Sequence, residues 1–450
     1  MRMRLIGIAA AIAVGYAGAA LGEDLIQIYD LAVQSDPTLR EQEQVLYSTR
    51  EVKPQARSLL LPSFNVQANA DYQNVQTKSR SLAGASLRRN ESYGSRGLTA
   101  AVTQSVYDRS DWIRLDQTDD TIAAAEADYR DAQIELMVRT TEAYFNVLRA
   151  SDFVRVQEAL QLANERQLEQ SRQRFEVGLV AITDVNESQA AYDRSRADVI
   201  SAKNALNNAW EALRRIVGPV HVPLARLGEK LPLSPPEPND IDIWAQTALE
   251  NNYGIIAARE RSESAKKSIE IERSGHFPTL DLEAGYDIAR SDAEFGSDSD
   301  SAFVGLNLTV PLYQGGLVTS RTRQAGYDFR AAQDRLDQTR RQVINGVKDA
   351  FRGVISSISD VQARQAAIVS ARSALESTQA GLDVGTRTQV DVLNAQRFLF
   401  QAEFDYLDAR YSYIINGVKL HQATSTLTRE VLAKGNAWLD ANDLVPPPVN

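Results

Sequence analysis

The stretch Val177-Gly178-Leu179-Val180-Ala181-Ile182-Thr183-Asp184-Val185 recurs as Val384-Gly385-Thr386-Arg387-Thr388-Gln389-Val390-Asp391-Val392. Valine, glycine, aspartate and valine keep their places, and each copy sits between long glycine-poor stretches with helical spacing of apolar residues. An internal duplication sets an architecture before any local propensity does. This one predicts two equivalent helix reversals at one end of an elongated molecule. Gly178 and Gly385 read as left-handed residues closing the incoming helices. Asp184 and Asp391 read as N-caps opening the outgoing ones.

The match extends outward from the reversals. Ala143-Tyr144-Phe145-Asn146-Val147 pairs with Ala350-Phe351-Arg352-Gly353-Val354, and Tyr107 pairs with Tyr313. Leu61-Pro62-Ser63-Phe64 pairs with Phe277-Pro278-Thr279-Leu280, and Ala32 with Ala248, at a slightly larger offset. The extra residues fall in 73–97, which is longer than its partner 289–303. The mature chain therefore divides into a first repeat, 23–217, and a second, 241–428. Each is expected to hold a short helix, a β-hairpin, a long helix, a tip reversal and a shorter helix. Between them lies 218–240, where Pro219, Pro223, Pro232, Pro235, Pro236 and Pro238 exclude a helix. The sequence assigns no role to the tail, 429–450.

Residues 1–22 read as an export signal. Arg2 and Arg4 precede an apolar run, Leu5 to Ala20, which ends at Ala20-Leu21-Gly22, a small-x-small cleavage pattern. The chain has no cysteine, so disulfides, thiolate metal sites and cysteine nucleophiles are excluded. No later stretch approaches the roughly 20 apolar residues of a membrane helix.

Four segments alternate with period two: Phe64–Tyr72, Leu98–Val106, Leu280–Ile288 and Val304–Leu312. Alternation gives a strand one apolar and one polar face, and about ten residues cross a bilayer when tilted. Lys78–Gly97 and Ser291–Ser301, rich in serine, glycine and charge, read as the polar loops of two hairpins. In lipid an open sheet edge leaves backbone groups without partners, so spanning strands must close into a barrel. About eight strands are the practical minimum, and four cannot close. The barrel must be shared between chains.

The helical stretches are long. Asp108–Val177 contains neither glycine nor proline, and Val318–Leu382 contains no proline. Shorter helices are expected at 184–216 and 391–423, and short ones at 38–60, with Pro54 ending or kinking it, and 255–274. Alanine, glutamine, arginine and aspartate fill most positions, which suits a wall of helices touching along narrow seams.

These residues carry a resemblance. Gly178–Val185, Val384–Thr388, Ala143–Leu148 and Pro311-Leu312-Tyr313-Gln314-Gly315-Gly316 resemble the TolC family of outer-membrane channel-tunnels across essentially the whole mature chain. The resemblance implies a mostly α, mixed fold: a homotrimer whose α-helical barrel projects into the periplasm and joins a shared twelve-stranded transmembrane β-barrel, four strands per chain, in outer-membrane lipid. It implies docking to a periplasmic adaptor and an inner-membrane transporter of RND, ABC or MFS type, giving passive exit to drugs, small molecules or secreted proteins. A channel devoted to type I protein secretion is the alternative use, and a periplasmic structural coiled coil the alternative class. The resemblance further implies a pore constriction at Asp391 and Asn394, where the family often carries a second acid in place of Asn394. It implies gate links at Asp184, Thr183, Arg387, Gln167 and Gln379. At the gate, Leu382 stands for the family's tyrosine and Gln379 for its glutamate, leaving a hydrogen bond between Gln379 and Gln167 as the expected remnant. The adaptor-docking tip falls on Gly178, Leu179, Val180, Ala181, Gly385, Thr386 and Thr388.

His221, His276 and His421 have no metal-ligand spacing, and no HExxH, GxSxG, P-loop or GxGxxG is present. Neither enzyme activity nor a cofactor is expected. A net charge of −10 argues against nucleic acid as a partner.

Overall fold

The computed structural model describes residues 23–80, 86–219, 222–294 and 296–448. The export signal lies outside the described residues. Among the described residues ten helices and six strands follow one another: α1 (Leu25–Ser35), α2 (Pro37–Arg50), α3 (Val52–Ser58), β1 (Ser63–Arg80), β2 (Ser86–Tyr107), α4 (Arg109–Glu176), α5 (Ile182–Val217), β3 (Leu224–Leu227), α6 (Ile241–Asn251), α7 (Tyr253–Ser274), β4 (Thr279–Ser291), β5 (Ser299–Thr309), α8 (Leu317–Asp383), α9 (Gln389–Ala423), α10 (Arg429–Asn436) and β6 (Leu439–Val445). Two compact units result, and each draws on both halves of the sequence. One comprises residues up to 39, 133–248 and 345–450; the other comprises 40–132 and 249–344.

Helix starts follow local chemistry. Asp24 and Gln27 exchange bonds in a capping box at α1. Asp36 accepts from the Leu39 amide at 2.8 Å, and α2 begins on Pro37, where a missing N–H costs nothing. The break expected at Pro54 lies earlier, at Glu51, and Pro54 sits in the first turn of α3, where proline is tolerated. Helices α1, α6 and α10 have no counterpart in the sequence expectation; they are too short for their periodicity to stand out. The 68 residues of α4 correspond to about 100 Å of helix.

In the unit containing the strands, β1, β2, β4 and β5 form one antiparallel sheet in that order. Register sets its faces. Phe64 lies opposite Val102, Val102 opposite Ala284, and Ala284 opposite Val304; the rung through Ala68 continues through Leu98, Ile288 and Asp300. One face thus collects Phe64, Val66, Tyr72, Leu98, Tyr286, Val304, Leu306 and Leu308, all exposed in the single chain. The opposite face collects Asn65, Gln67, Asn69, Asp71, Asp281, Glu283 and Asp287. β1 and β5 are open edges of this sheet.

The expected loops are shorter than the composition suggested. Pairing of β1 with β2 runs from Ser63↔Thr103 to Arg80↔Ser86, so most of Lys78–Gly97 is strand. Ser291 and Ser299–Ser301 are strand as well. Backbone ladders do not need apolar alternation, and the alternation fades where the strands leave the apolar layer. Below the sheet Arg109 stacks on the Phe277 ring at 4.8 Å, and Lys267 of α7 bonds Asp116 at 2.8 Å and Asp120 at 3.0 Å on α4.

In the other unit, the proline-rich segment and the tail find each other. β3 pairs antiparallel with β6, and Glu23 forms a parallel bridge to Leu224. Beneath them Leu25, Ile28, Leu136, Tyr144, Phe145, Leu148, Trp210, Leu213, Leu224, Leu420 and Leu432 are fully buried. Each such side chain contributes about 1.5–3 kcal/mol relative to exposure. Ala143–Leu148, singled out by the duplication, is core rather than surface: the Tyr144 hydroxyl donates to the Ala225 carbonyl at 2.7 Å, and its ring meets Phe145 edge-on at 5.5 Å. The buried carboxylate of Asp152 on α4 is held by Arg226 of β3 at 2.7 Å, Arg155 at 3.1 Å and the Tyr411 hydroxyl of α9 at 2.6 Å. Arg226 also reaches Asp443 of β6 at 3.2 Å, which fastens the tail.

Candidate functional site

The two reversals end their incoming helices identically. Gly178 and Gly385 both have φ of +75°. At the first, the Gly178 amide donates to Phe175 O at 2.9 Å and the Leu179 amide to Arg174 O at 2.8 Å. At the second, Gly385 donates to Leu382 O at 3.1 Å and Thr386 to Gly381 O at 2.8 Å. Both patterns are Schellman motifs, in which the last free carbonyls of a helix are satisfied by the two residues beyond it.

The outgoing helices start differently, and neither starts on its aspartate. The N-cap of α5 is Ala181, which has no side-chain acceptor; Asp184 lies three residues inside, its amide donating to Ala181 O at 3.1 Å. The N-cap of α9 is Thr388. Its hydroxyl accepts from the Asp391 amide at 3.2 Å, while Asp391 Oδ2 accepts from the Thr388 amide and hydroxyl, both at 2.9 Å. Asp391 is thus the returning half of a capping box. The expectation of N-caps at Asp184 and Asp391 is corrected by three residues at each tip. The Thr388 bonds, with Arg387 nearby, hold the Asp391 carboxyl below the usual carboxylate range. Asp184 keeps a favourable place in the first turn of its helix. Among the described residues, neither Asp184 nor Arg387 forms a salt bridge.

Asn394, one turn beyond Asp391, accepts from Arg397 Nη2 at 3.2 Å. Thr183, Leu179, Ala181, Gly178, Gly385, Thr386 and Thr388 are exposed and Val180 is half-buried. Leu179 is 73% exposed and Val177 and Val384 are 69% and 75%, so the tips present apolar side chains that nothing in the single chain covers.

The pairing of Gln167 with Gln379 is not what the chain makes. Gln167 Nε2 donates to Gln389 Oε1 at 3.1 Å, and Gln389 Nε2 donates to Ser188 Oγ at 3.0 Å. Ser188 and Ser171 hydroxyls lie 3.0 Å apart, and Gln396 donates to Asn164 at 3.3 Å. These buried neutral groups join α4, α5 and α9 just behind the tips. Gln389 takes the Gln167 amide because it lies at the start of α9, facing α4 and α5. Gln379 instead lines a shallow surface recess with Gln173, Arg174 and Asp383. There Arg174 and Asp383 join α4 to α8 at 2.8 Å. Sequence reasoning missed both the polar ladder and this ion pair, because glutamine, serine and single charges on long helices look like solvated faces.

No helix among the described residues is long and apolar enough to cross a membrane.

Residues 28–219 and 244–426 match the family described as "Outer membrane efflux protein". The chain is 36% identical over 424 residues to the outer membrane protein TolC of Vibrio cholerae, covering 93% of this chain and 94% of that one. It is 35% identical over 437 residues to TolC of Escherichia coli K12, covering 94% and 86%. Its fold matches the crystal structure of the Campylobacter jejuni CmeC outer membrane channel with a TM-score of 0.73 at 16% identity, covering 98% of each chain. The chain therefore belongs to the outer membrane efflux protein family, as a TolC-like outer-membrane channel for efflux or secretion.

Proposed function

We propose that three copies close a twelve-stranded barrel and a periplasmic helical tunnel, and that this conduit docks through its tips to a periplasmic adaptor and an inner-membrane transporter. The observation that carries the proposal is the sheet: four strands with one exposed apolar face, one polar face and two open edges. Lipid tolerates no open edge, four strands are too few to close, and three copies supply twelve. In this arrangement the apolar face meets lipid and the polar face lines the pore.

The tips supply the gate in the same reading. Asp184, Thr183 and Arg387 lie exposed or half-exposed, and among the described residues neither Asp184 nor Arg387 has a salt-bridge partner, which suits links to neighbouring copies. Asp391, held ionised by its own threonine, forms a symmetric ring of carboxylates favouring cations, with Asn394 leaving that ring fewer charges. Gln167 acts through Gln389 within one chain rather than through Gln379. Leu179, Val180, Ala181, Thr386 and Thr388, around Gly178 and Gly385, form the docking surface for the adaptor. The segment 218–240 and the tail form a belt, and the repeats 23–217 and 241–428 supply equivalent parts of the wall.

The absence of cysteine allows a clean test. Gln67→Cys on β1 is combined in turn with Ser301→Cys, Phe303→Cys and Asn307→Cys on β5, positions on the polar face that step along the edge to accommodate barrel shear. Oxidation is expected to yield covalent trimers in at least one combination. Variants that conduct in planar bilayers yet give no intermolecular cross-link in any combination would contradict the shared barrel.

A further inference from the structure

We propose that the cavity between α6, α9, α10 and the proline-rich segment binds small uncharged aromatic molecules that carry a hydrogen-bond donor, the chemistry of phenols and aromatic alcohols. The cavity lies within one compact unit of one chain, so the inference goes beyond the channel reading and does not rest on it.

Distant segments build the walls. Trp244 of α6, Tyr413 and Leu420 of α9 and Leu432 of α10 are buried there, and Trp438 is half-buried beside them. The proline-rich wall is pinned in place. Trp244 Nε1 donates to the Pro238 carbonyl at 2.8 Å. The Tyr413 hydroxyl donates to Ser234 O at 3.0 Å and accepts from the Ser234 amide at 3.2 Å. The enclosed volume is about 370 Å³, in the range of pockets that hold small molecules. Walls of tryptophan and tyrosine rings favour a flat aromatic guest.

Two glycines keep the space open. Gly417 within α9 and Gly435 in the last turn of α10 both line the cavity. A Cβ added at either meets no atom within 4 Å among the described residues. Neither glycine has a positive φ. Glycine in a helix is less favourable than alanine, and here neither backbone conformation nor close packing within the chain calls for it. What the two glycines preserve is the volume itself.

His421 sets the polarity of the guest. Burial, with Lys434 nearby, holds the imidazole below its ordinary value, so it is neutral at neutral pH. A chain of donors then fixes its tautomer. The Thr424 hydroxyl lies 3.2 Å from both Leu420 O and His421 O, and carbonyls only accept, so Thr424 donates. Thr424 therefore accepts from the Thr426 hydroxyl at 2.8 Å. Thr426, its hydrogen spent, accepts from His421 Nδ1 at 3.0 Å. The lone pair is left on Nε2. His421 lines the cavity and Thr426 does not, so the ring edge holding Nε2 is the one presented to it. An acceptor in that wall selects a donor on the guest. Exposed Glu237 and Lys434 border the same cavity. Their opposite charges favour an uncharged molecule over either kind of ion.

The test uses the whole protein in detergent, with exposed Trp112 replaced by phenylalanine so that Trp244 and Trp438 dominate the response to a quencher. The probe is 4-bromophenol, uncharged at neutral pH, whose bromine quenches indole fluorescence on contact. Its control is 4-bromoanisole, the same ring with the hydroxyl methylated. Quenching by the phenol is expected to saturate at a concentration about fivefold below that of the ether, the worth of one hydrogen bond. His421→Phe should remove the difference between the two. Gly417→Leu and Gly435→Leu should each remove saturable quenching by both, and whichever keeps the native melting temperature is the one compared. Quenching that rises linearly, as partition into micelles would give, overturns the proposal. No quenching at all, as a neighbouring copy filling the cavity would give, overturns it too. So does saturation that survives a filled cavity, and equal affinity for phenol and ether.

Discussion

The two tips share a helix ending and diverge in the three residues that follow. Both incoming helices close in a Schellman motif on a glycine with φ of +75°. The second tip then spends its aspartate locally: Thr388 and Asp391 cap each other. At the first, Ala181 offers no side-chain cap, and Asp184 has no salt bridge among the described residues. A duplicated motif has therefore split its work. One acid is held in a capping box with its carboxyl below the usual range, which suits the pore-lining role proposed for it. The other sits in the first turn of its helix without such a cap, and the proposed gate takes it to a neighbouring copy.

Several substitutions break or sharpen this contrast. The largest effect is expected at the free acid. Asp184→Ala, or Arg387→Ser, removes a proposed link between copies and should raise single-channel conductance severalfold in planar bilayers. Unchanged conductance in both would remove the gate assignment. Asn394→Asp adds a second acid per chain beside Asp391 and should strengthen block by multivalent cations; block that stays at its original strength contradicts a constriction there.

The shared ending predicts equal costs. An added Cβ at Gly178 or Gly385 meets no atom within 4 Å, so Gly178→Ala and Gly385→Ala pay only for the left-handed backbone. That is about 1–2 kcal/mol at either tip, read as faster amide exchange in the last turns of α4 and α8. Unequal exchange would show that the two endings are not equivalent.

The unequal starts predict opposite signs. Thr388→Ala should cost about 1 kcal/mol by removing the capping box, whereas Ala181→Ser should stabilise the start of α5 by about as much. Amide exchange of Val185 and Val392 reports each change, and a stabilising effect of Thr388→Ala would contradict the cap.

The smallest effect is a pH dependence. Asp391 has its folded value depressed, first by its backbone bond to Thr388. Its stabilisation is complete above the ordinary value of 3.8 and is lost as pH falls through the depressed folded value. Exchange at the start of α9 should differ between the native chain and Asp391→Asn at neutral pH and converge in strong acid.

Much of this was legible in the amino-acid chain because it rests on repetition and punctuation. The glycines at 178 and 385 fixed both reversals, and the alternation from Phe64 and from Leu280 marked the sheet. The cap positions were not legible, since Thr388 and Asp391 are both capping residues and only the backbone distinguishes N-cap from third position. Gln167, Ser171, Ser188 and Gln389 were invisible as a buried ladder because polar residues on a long helix ordinarily meet water. The length of the β1–β2 hairpin was hidden because backbone pairing outlasts the apolar pattern that reveals a strand. Asp152, Arg226 and Asp443 come from three distant segments, and no local signal joins them.

The central claim is that one chain supplies only part of a wall and that three complete it. Native mass spectrometry of the protein released from detergent micelles tests this most directly. The account predicts a species of three chains, soluble only with detergent. A monomer that stays in solution after detergent is removed would contradict it.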